Sequence, residues 1–313
     1  MHPSFHNSFA LRLDHSTCQF ESVQLQDLAW SVTDSGTLYG AILVERFRTY
    51  GFKLLELNDY VTRLSLGAQY FSVDASILTS ELTAIANRLL DLNRDLVHQC
   101  SDVGIVVLLS PGEHLLDNAL GKRPTCMMHL SPLPFAKLNQ WYKNGTDLSI
   151  GTFQAVPSAC WPNQIKSRSR LPYFLSDATS TAKQADSLSV LTTTRGTISD
   201  TSVANLLLVD RKGEFVSPPK EDILTGCTFQ AVERLLNDNN IQIHYRDIEP
   251  NELATASEVI LTGSIGGVWS ASSINGTRIG LNHDQPKLRM LTNLWKTHVG
   301  MDYVEQAAKR GER

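Results

Sequence analysis

The chain has 313 residues, long for one ordinary domain and short for three, so one large domain or two packed domains are expected. Hydrophobic residues make up 42% and charged residues 19%, a globular balance that excludes a disordered or fibrous chain. With a formal net charge of −4, nothing draws the whole molecule to nucleic acid or to an anionic membrane.

The opening residues, MHPSFHNSFALRLDHS, lack a basic stretch followed by an apolar one, and no run approaches the length that spans a bilayer. A cytoplasmic location without a membrane partner is therefore expected. Residues 75–91 carry Leu78, Leu82, Ile85 and Leu89 at helical spacing, with polar residues between them, and predict an amphipathic helix. The apolar run 104–109, closed by Ser110, Pro111 and Gly112, predicts a buried strand followed by a turn. Over residues 144–163 the composition shifts to Gly, Ser, Thr and Pro, which predicts a connection between an N-terminal domain of residues 1–150 and a C-terminal domain of residues 151–313.

Beyond it, Pro172 is placed to start a helix running to about Gln184, and Gly226 precedes another over about 228–236. Residues 188–191, 205–209, 214–216, 241–245 and 258–261 predict strands, two of them joined by the turn-forming Asp210-Arg211-Lys212-Gly213. Strands and helices are mixed without strict alternation, so the expected fold class is α+β.

Five cysteines (Cys18, Cys100, Cys126, Cys160, Cys227) show no CxxC spacing, and nine histidines are dispersed without an HExxH motif. Neither a disulfide framework nor a metal site is expected. The basic run 165–170, which contains Lys166, Arg168 and Arg170, reads on composition alone as a solvated charge run or a phosphate patch.

An ordered set of segments changes that reading. The stretch 39–51 carries Gly40, Glu45, Arg48 and Tyr50, and Leu57-Asn58-Asp59-Tyr60-Val61-Thr62-Arg63-Leu64 follows it. Lys166 leads Ser169, Arg170, Leu171 and Tyr173. Gly196 then precedes Asp200 and Asn205, Pro218 precedes Ile223-Leu224-Thr225-Gly226-Cys227-Thr228, and Thr262-Gly263-Ser264 and Asn275-Gly276 close the series. In this order, over about residues 38–280, the chain resembles the class IV aminotransferases. These share a two-domain fold-type IV architecture, D-amino-acid aminotransferase-like, and include branched-chain and D-amino-acid aminotransferases and aminodeoxychorismate lyase.

The resemblance implies pyridoxal 5'-phosphate as cofactor, Lys166 as its Schiff-base lysine and Asp200 as the carboxylate on the pyridine nitrogen. It further implies Arg63, Cys227, Thr228, Gly263 and Ser264 around the phosphate. The implied reaction moves an amino group from an amino acid, branched-chain-like or of D configuration, to a 2-oxo acid in a homodimer. An aminodeoxychorismate lyase and a non-catalytic binding protein are the alternatives.

The chemistry suits those residue types. A lysine must lose its proton to attack an aldehyde, and burial or nearby cations such as Arg168 and Arg170 lower its pKa from about 10.4. A carboxylate keeps the pyridine nitrogen protonated, so the ring accepts electrons. A phosphate needs free backbone N–H groups at a helix start or glycine-rich turn, and an arginine. Taken singly, Arg63 reads as a surface arginine, Asp200 and Gly263 as turn residues and Thr228 as a helix cap. The chain departs from the family pattern in having Asp200 for glutamate, Tyr60 for histidine, Ala41 for aspartate, Val44 for an aromatic residue, Ser264 for threonine and Ser270 for proline.

Overall fold

Two sheets organise the chain, each with its own helices, in a computed structural model that describes residues 4–113, 123–183, 185–280 and 284–311. One compact unit comprises Met1–Leu133 together with Ile165–Ser169, and the other Pro134–Gln164 with Arg170–Arg313. The sequence reading put the division near residue 150 and Lys166 in the C-terminal part; here the lysine segment groups with the first unit.

The first unit contains β1 (Phe9–Asp14), β2 (Gln19–Gln24), α1 (Ser35–Tyr39), β3 (Leu43–Tyr50), β4 (Lys53–Leu54), α2 (Leu57–Tyr70), α3 (Ser76–Leu92), α4 (Arg94–Cys100), β5 (Gly104–Ser110) and β6 (Thr125–Ser131). Its strands form an antiparallel sheet in the order β2-β1-β6-β5-β3-β4. The run 104–109 is a strand in the middle of this sheet, as its continuous apolar character requires. The α3 stripe of Leu78, Leu82, Ile85 and Leu89 is buried, and the helix lies against β1 and β6. Each such leucine contributes about 1.5–3 kcal/mol of transfer free energy.

Alternation along β3 sorts its side chains. Leu43, Glu45 and Phe47 face α2, where Arg63 and Tyr60 meet Glu45 and Phe47. Val44 and Arg46 point to the other side of the sheet.

The second unit contains α5 (Phe135–Asn144), β7 (Thr146–Gln154), α6 (Leu171–Lys183), β8 (Leu188–Thr192), β9 (Ile198–Thr201), β10 (Asn205–Val209), β11 (Phe215–Ser217), α7 (Cys227–Asp238), β12 (Ile243–Tyr245), α8 (Pro250–Thr255), β13 (Glu258–Gly263), β14 (Gly267–Ile274), β15 (Thr277–Arg278), α9 (Pro286–Val299) and α10 (Tyr303–Gly311). The sheet runs β12-β11-β10-β13-β14-β7-β8-β9, with β15 on β14. β10 is buried along its whole length between β11 and β13, and its apolar run has a core on both faces. Gln184, named as the end of the α6 helix, lies outside the described residues.

Residues 146–154 are a strand, where composition predicted a connection. Thr146 and Leu148 bury alternate positions, and the partners that complete the ladder, β14 and β8, come later in the chain. Helix α5 belongs with this sheet too, because Trp141 stacks on Trp269 of β14 with ring centroids 5.0 Å apart.

Candidate active site

In the first unit the segment around Lys166 continues the β3 ladder at its start. The Val44 N–H donates to the Lys166 carbonyl at 2.9 Å, the Arg168 N–H donates to the Ile42 carbonyl at 2.8 Å, and Ser167 lies opposite Leu43. Strand alternation then sends Lys166 and Arg168 to the face of Val44 and Arg46, opposite Ser167 and Leu43. Gly40 permits this approach. Its φ of +67° lies in the left-handed region, and an added Cβ would stand 2.6 Å from Ser169 Oγ, which donates to the Gly40 carbonyl at 3.0 Å.

Arg63, on α2, is buried and held by Glu45 of β3: Nε donates to Oε1 at 2.9 Å and Nη2 to Oε2 at 2.5 Å. Its guanidinium also lies 5.6 Å from the centre of the Tyr60 ring. The family's histidine position is thus filled by an aromatic that packs on the arginine and on Phe47.

In the second unit Asp200 sits on β9, 4% exposed. Its Oδ1 accepts from the Tyr173 hydroxyl of α6 at 2.7 Å, and its Oδ2 from the Leu224 N–H at 3.3 Å. Burial first, then the charge of Asp200, pushes the Tyr173 hydroxyl well above its ordinary value, against the opposing charge of Arg170, so the phenol stays a donor. The Arg170 guanidinium lies 4.2 Å from the Tyr173 ring centre and donates to the Ser202 carbonyl at 2.6 Å.

Leu224 leads directly into the start of α7, where Gly226 is the N-cap and no side chain caps the helix. Cys227 and Thr228 are its first two residues, both buried. Asn205 clamps this approach, donating to the Leu224 carbonyl at 2.6 Å and accepting from the Gly226 N–H at 3.2 Å. A Cβ on Gly226 would stand 2.5 Å from Asn205 Oδ1, so any larger residue must displace the Asn205 side chain. Asn205 is also paired with Thr262 on β13, beside Gly263. A Cβ on Gly263 would stand 2.6 Å from the Val203 carbonyl, and Ser264 follows in the turn to β14.

The fold therefore gathers Asp200, Cys227, Thr228, Gly263 and Ser264 around Asn205 within the second unit, and holds Lys166 on the ribbon beside β3 and Arg63 on α2 of the first. Glu45, Asn205 and Tyr173 stood in the family segments, but their partners were not read from the sequence. Their signal was position alone: each is polar amid apolar neighbours or just beyond the lysine segment, and the contact it makes is distant in sequence.

The donor set fits pyridoxal phosphate: a buried carboxylate already fixed by two donors, an uncapped helix start, and glycines where a Cβ would collide. Among the described residues no group of three or more His, Cys, Asp or Glu is arranged to hold a metal ion. No helix among them is long and apolar enough to cross a membrane.

A two-unit α+β enzyme fold with a lysine-bearing strand ribbon and an anion-ready helix start defines the class. The family profile for amino-transferase class IV matches residues 42–274, and the chain belongs to that family. It is an aminotransferase with pyridoxal phosphate as its cofactor, and acts on an amino acid and a 2-oxo acid. Among relatives, D-alanine aminotransferase of Bacillus licheniformis is 22% identical over 287 residues, 92% of this chain and 96% of that protein. Among solved structures, the branched-chain aminotransferase of Thermoproteus uzoniensis with norvaline gives a TM-score of 0.80 at 17% identity, covering 95% of this chain and 96% of that one. A hypothetical aminotransferase from Mycobacterium tuberculosis in its PLP-bound form gives 0.77 at 16% identity, covering 93% and 99%.

Proposed function

We propose that Lys166 holds pyridoxal phosphate through its side-chain amine, that Asp200 serves the ring nitrogen, and that Arg63, Cys227, Thr228, Gly263 and Ser264 hold the phosphate. The cofactor supplies an electron sink for the bond-breaking at the substrate Cα. The chain supplies the rest. Lys166 Nζ takes and returns the Cα proton once substrate is bound. The Asp200 carboxylate, steadied by Tyr173 and the Leu224 N–H, keeps a proton on the ring nitrogen. The α7 start offers N–H groups to the phosphate dianion, and Arg63, held by Glu45, offers its positive charge.

The observation that carries this reading is the tie between Asp200 and the opening of α7 through the Leu224 N–H, which joins two of the proposed functions in one loop. Asp200 being one methylene shorter than the family's glutamate suits a carboxylate whose direction is set by a neighbouring phenol. In keeping with the family, the working unit is a cytoplasmic homodimer, and the donor is a branched-chain or D-configured amino acid of the kind its relatives are named for.

Borohydride reduction of the protein with added pyridoxal phosphate, followed by peptide mapping, tests the lysine: the label is expected on Lys166 and absent from Lys166→Ala. A label on another lysine removes the assignment. Size-exclusion chromatography with light scattering tests the dimer. A screen of amino donors in both enantiomers, with pyruvate release without an acceptor as the lyase control, tests the reaction.

A further inference from the structure

The acid that opens α1, Asp34, is fully buried, at 0% exposure, and lies in the same unit as Lys166. Its Oδ1 accepts from the Gly36 N–H at 2.6 Å and from the Ser110 hydroxyl at 2.6 Å, and its Oδ2 accepts from the Thr125 hydroxyl at 2.5 Å. Ser110 and Thr125 lie opposite each other where β5 ends and β6 begins, so one carboxylate joins a helix start to two strands. The Ser35 N–H adds a further tie, donating to the Gly112 carbonyl at 2.8 Å.

These partners are neutral, and no cation pairs with Asp34 among the described residues. Burying a charge without a counterion is costly. A serine or asparagine would cap so short a helix without that cost. What the carboxylate adds is a pair of acceptor-only oxygens that take donors from three directions.

The turn fixed in this way is the one on which the lysine ribbon sits. An added Cβ on Gly36 would stand 2.5 Å from Ile42 Cγ1 and 2.9 Å from Asp34 Oδ1, so Ile42 packs directly on the capped turn. The Ile42 carbonyl in turn accepts from the Arg168 N–H at 2.8 Å. At the other end of α1 the Ala41 N–H returns to the Ser35 carbonyl at 3.4 Å, and the Gly40 carbonyl accepts from Ser169 Oγ at 3.0 Å. On the strand side Ser110 follows Leu109, which lies opposite Leu43, and Leu43 lies opposite Ser167. The three residues after Lys166 are thus each seated on groups tied back to Asp34.

We propose that Asp34 is a positioning residue for Lys166: by locking α1 to the ends of β5 and β6 it fixes the seat of the 166–169 ribbon, and with it the place where the lysine amine meets the cofactor aldehyde. The inference rests on Lys166 being the cofactor lysine. Asp34 touches neither cofactor nor substrate in this role, and its effect reaches the amine only through Ile42, Gly40 and Ser169.

The test is the rate at which the full chain, freed of cofactor, acquires a borohydride-fixed label on Lys166 from added pyridoxal phosphate. Asp34→Ala is expected to slow labelling about tenfold or more, since a small misplacement of a reacting group is enough for such a loss. Asp34→Asn keeps an acceptor for Gly36 and Ser110 and offers Thr125 an N–H instead, and is expected to restore most of the rate. Leu82→Ala, a core truncation on α3 of the same unit, is the control: the urea midpoint should fall while the labelling rate stays within about twofold of the parent. Ser169→Ala should slow labelling too, and the double variant Asp34→Ala with Ser169→Ala should lose less than the product of the two single losses, because both act on one seat. Should Asp34→Ala not fold, Ser110→Ala removes one of its three donors and should slow labelling about threefold.

A parent-like rate in the folded Asp34→Ala or Ser110→Ala protein overturns the proposal, as does a loss no larger than that of Leu82→Ala or one fully independent of Ser169. A label on another lysine in the parent protein is a different failure, that of the Lys166 assignment itself.

Discussion

The Tyr173 hydroxyl donates to Asp200 Oδ1 at 2.7 Å across 27 residues of sequence, from helix α6 to strand β9. A phenol whose proton is held so firmly is a fixed donor, and the carboxylate it meets has its second oxygen on the Leu224 N–H. The pair sets the direction of the short carboxylate proposed to serve the ring nitrogen.

Tyr173→Phe is therefore expected to lower kcat for amino transfer about tenfold, the cost of losing one hydrogen bond to a charged group, with borohydride labelling of Lys166 retained. Asp200→Asn should cost more, again with labelling retained. In the double variant the tyrosine change should add little, since the hydroxyl acts through the carboxylate. Fully additive losses would show that Tyr173 works independently of Asp200.

The Arg63–Glu45 pair is buried on both sides, with side-chain exposures of 7% and 2%. Removing one partner leaves the other charge without its counterion, at a cost of about 3–5 kcal/mol. Glu45→Leu should lower the urea midpoint accordingly, and Glu45→Leu with Arg63→Met should recover part of the loss. A Glu45→Leu variant as stable as the parent would mean that the pair is already solvated.

At the α7 start, Gly226→Ala puts a methyl group 2.5 Å from Asn205 Oδ1 and displaces the side chain that holds residues 224–226. Affinity for pyridoxal phosphate should fall by about tenfold or more, and by more than affinity for pyridoxal, because the displaced N–H groups are those proposed to hold the phosphate. Absorbance titration of both compounds measures the difference. Equal losses would place the phosphate elsewhere.

Burial first, then the charges of Arg168 and Arg46, hold His129 below its ordinary value of 6.5 in the folded protein, against its hydrogen bond with the Leu130 carbonyl. As pH falls through that value the unfolded chain takes up the proton first, so the folded state loses stability, at up to about 1.4 kcal/mol per pH unit. Above it both states are neutral at this site and the contribution is flat. His129→Gln should remove this part of the acid slope in denaturation midpoints measured from pH 7.5 to pH 5. An unchanged slope would assign it to other groups.

Much of this protein is decided locally and was legible in its residues. The α3 stripe, the apolar runs of β5 and β10, the helix opened by Pro172 and the turn at Asp210-Arg211-Lys212-Gly213 each depend on side chains a few positions apart, which is the range over which periodicity and turn chemistry act. The ordered lysine, aspartate and glycine segments carried the family and the cofactor for the same reason: each is short and complete in itself.

What only the tertiary structure decided are pairings between distant segments. Strand β7 looked like a connection because the strands that pair with it are made later in the chain. Lys166 joined the first unit because its ribbon hydrogen-bonds to β3 more than a hundred residues earlier. Glu45 meeting Arg63, Tyr173 meeting Asp200, and Asp34 meeting Ser110 and Thr125 all follow from helix placement and sheet register. A single-residue shift of register turns a side chain to the opposite face, so composition and spacing along one strand cannot specify which charges end up together.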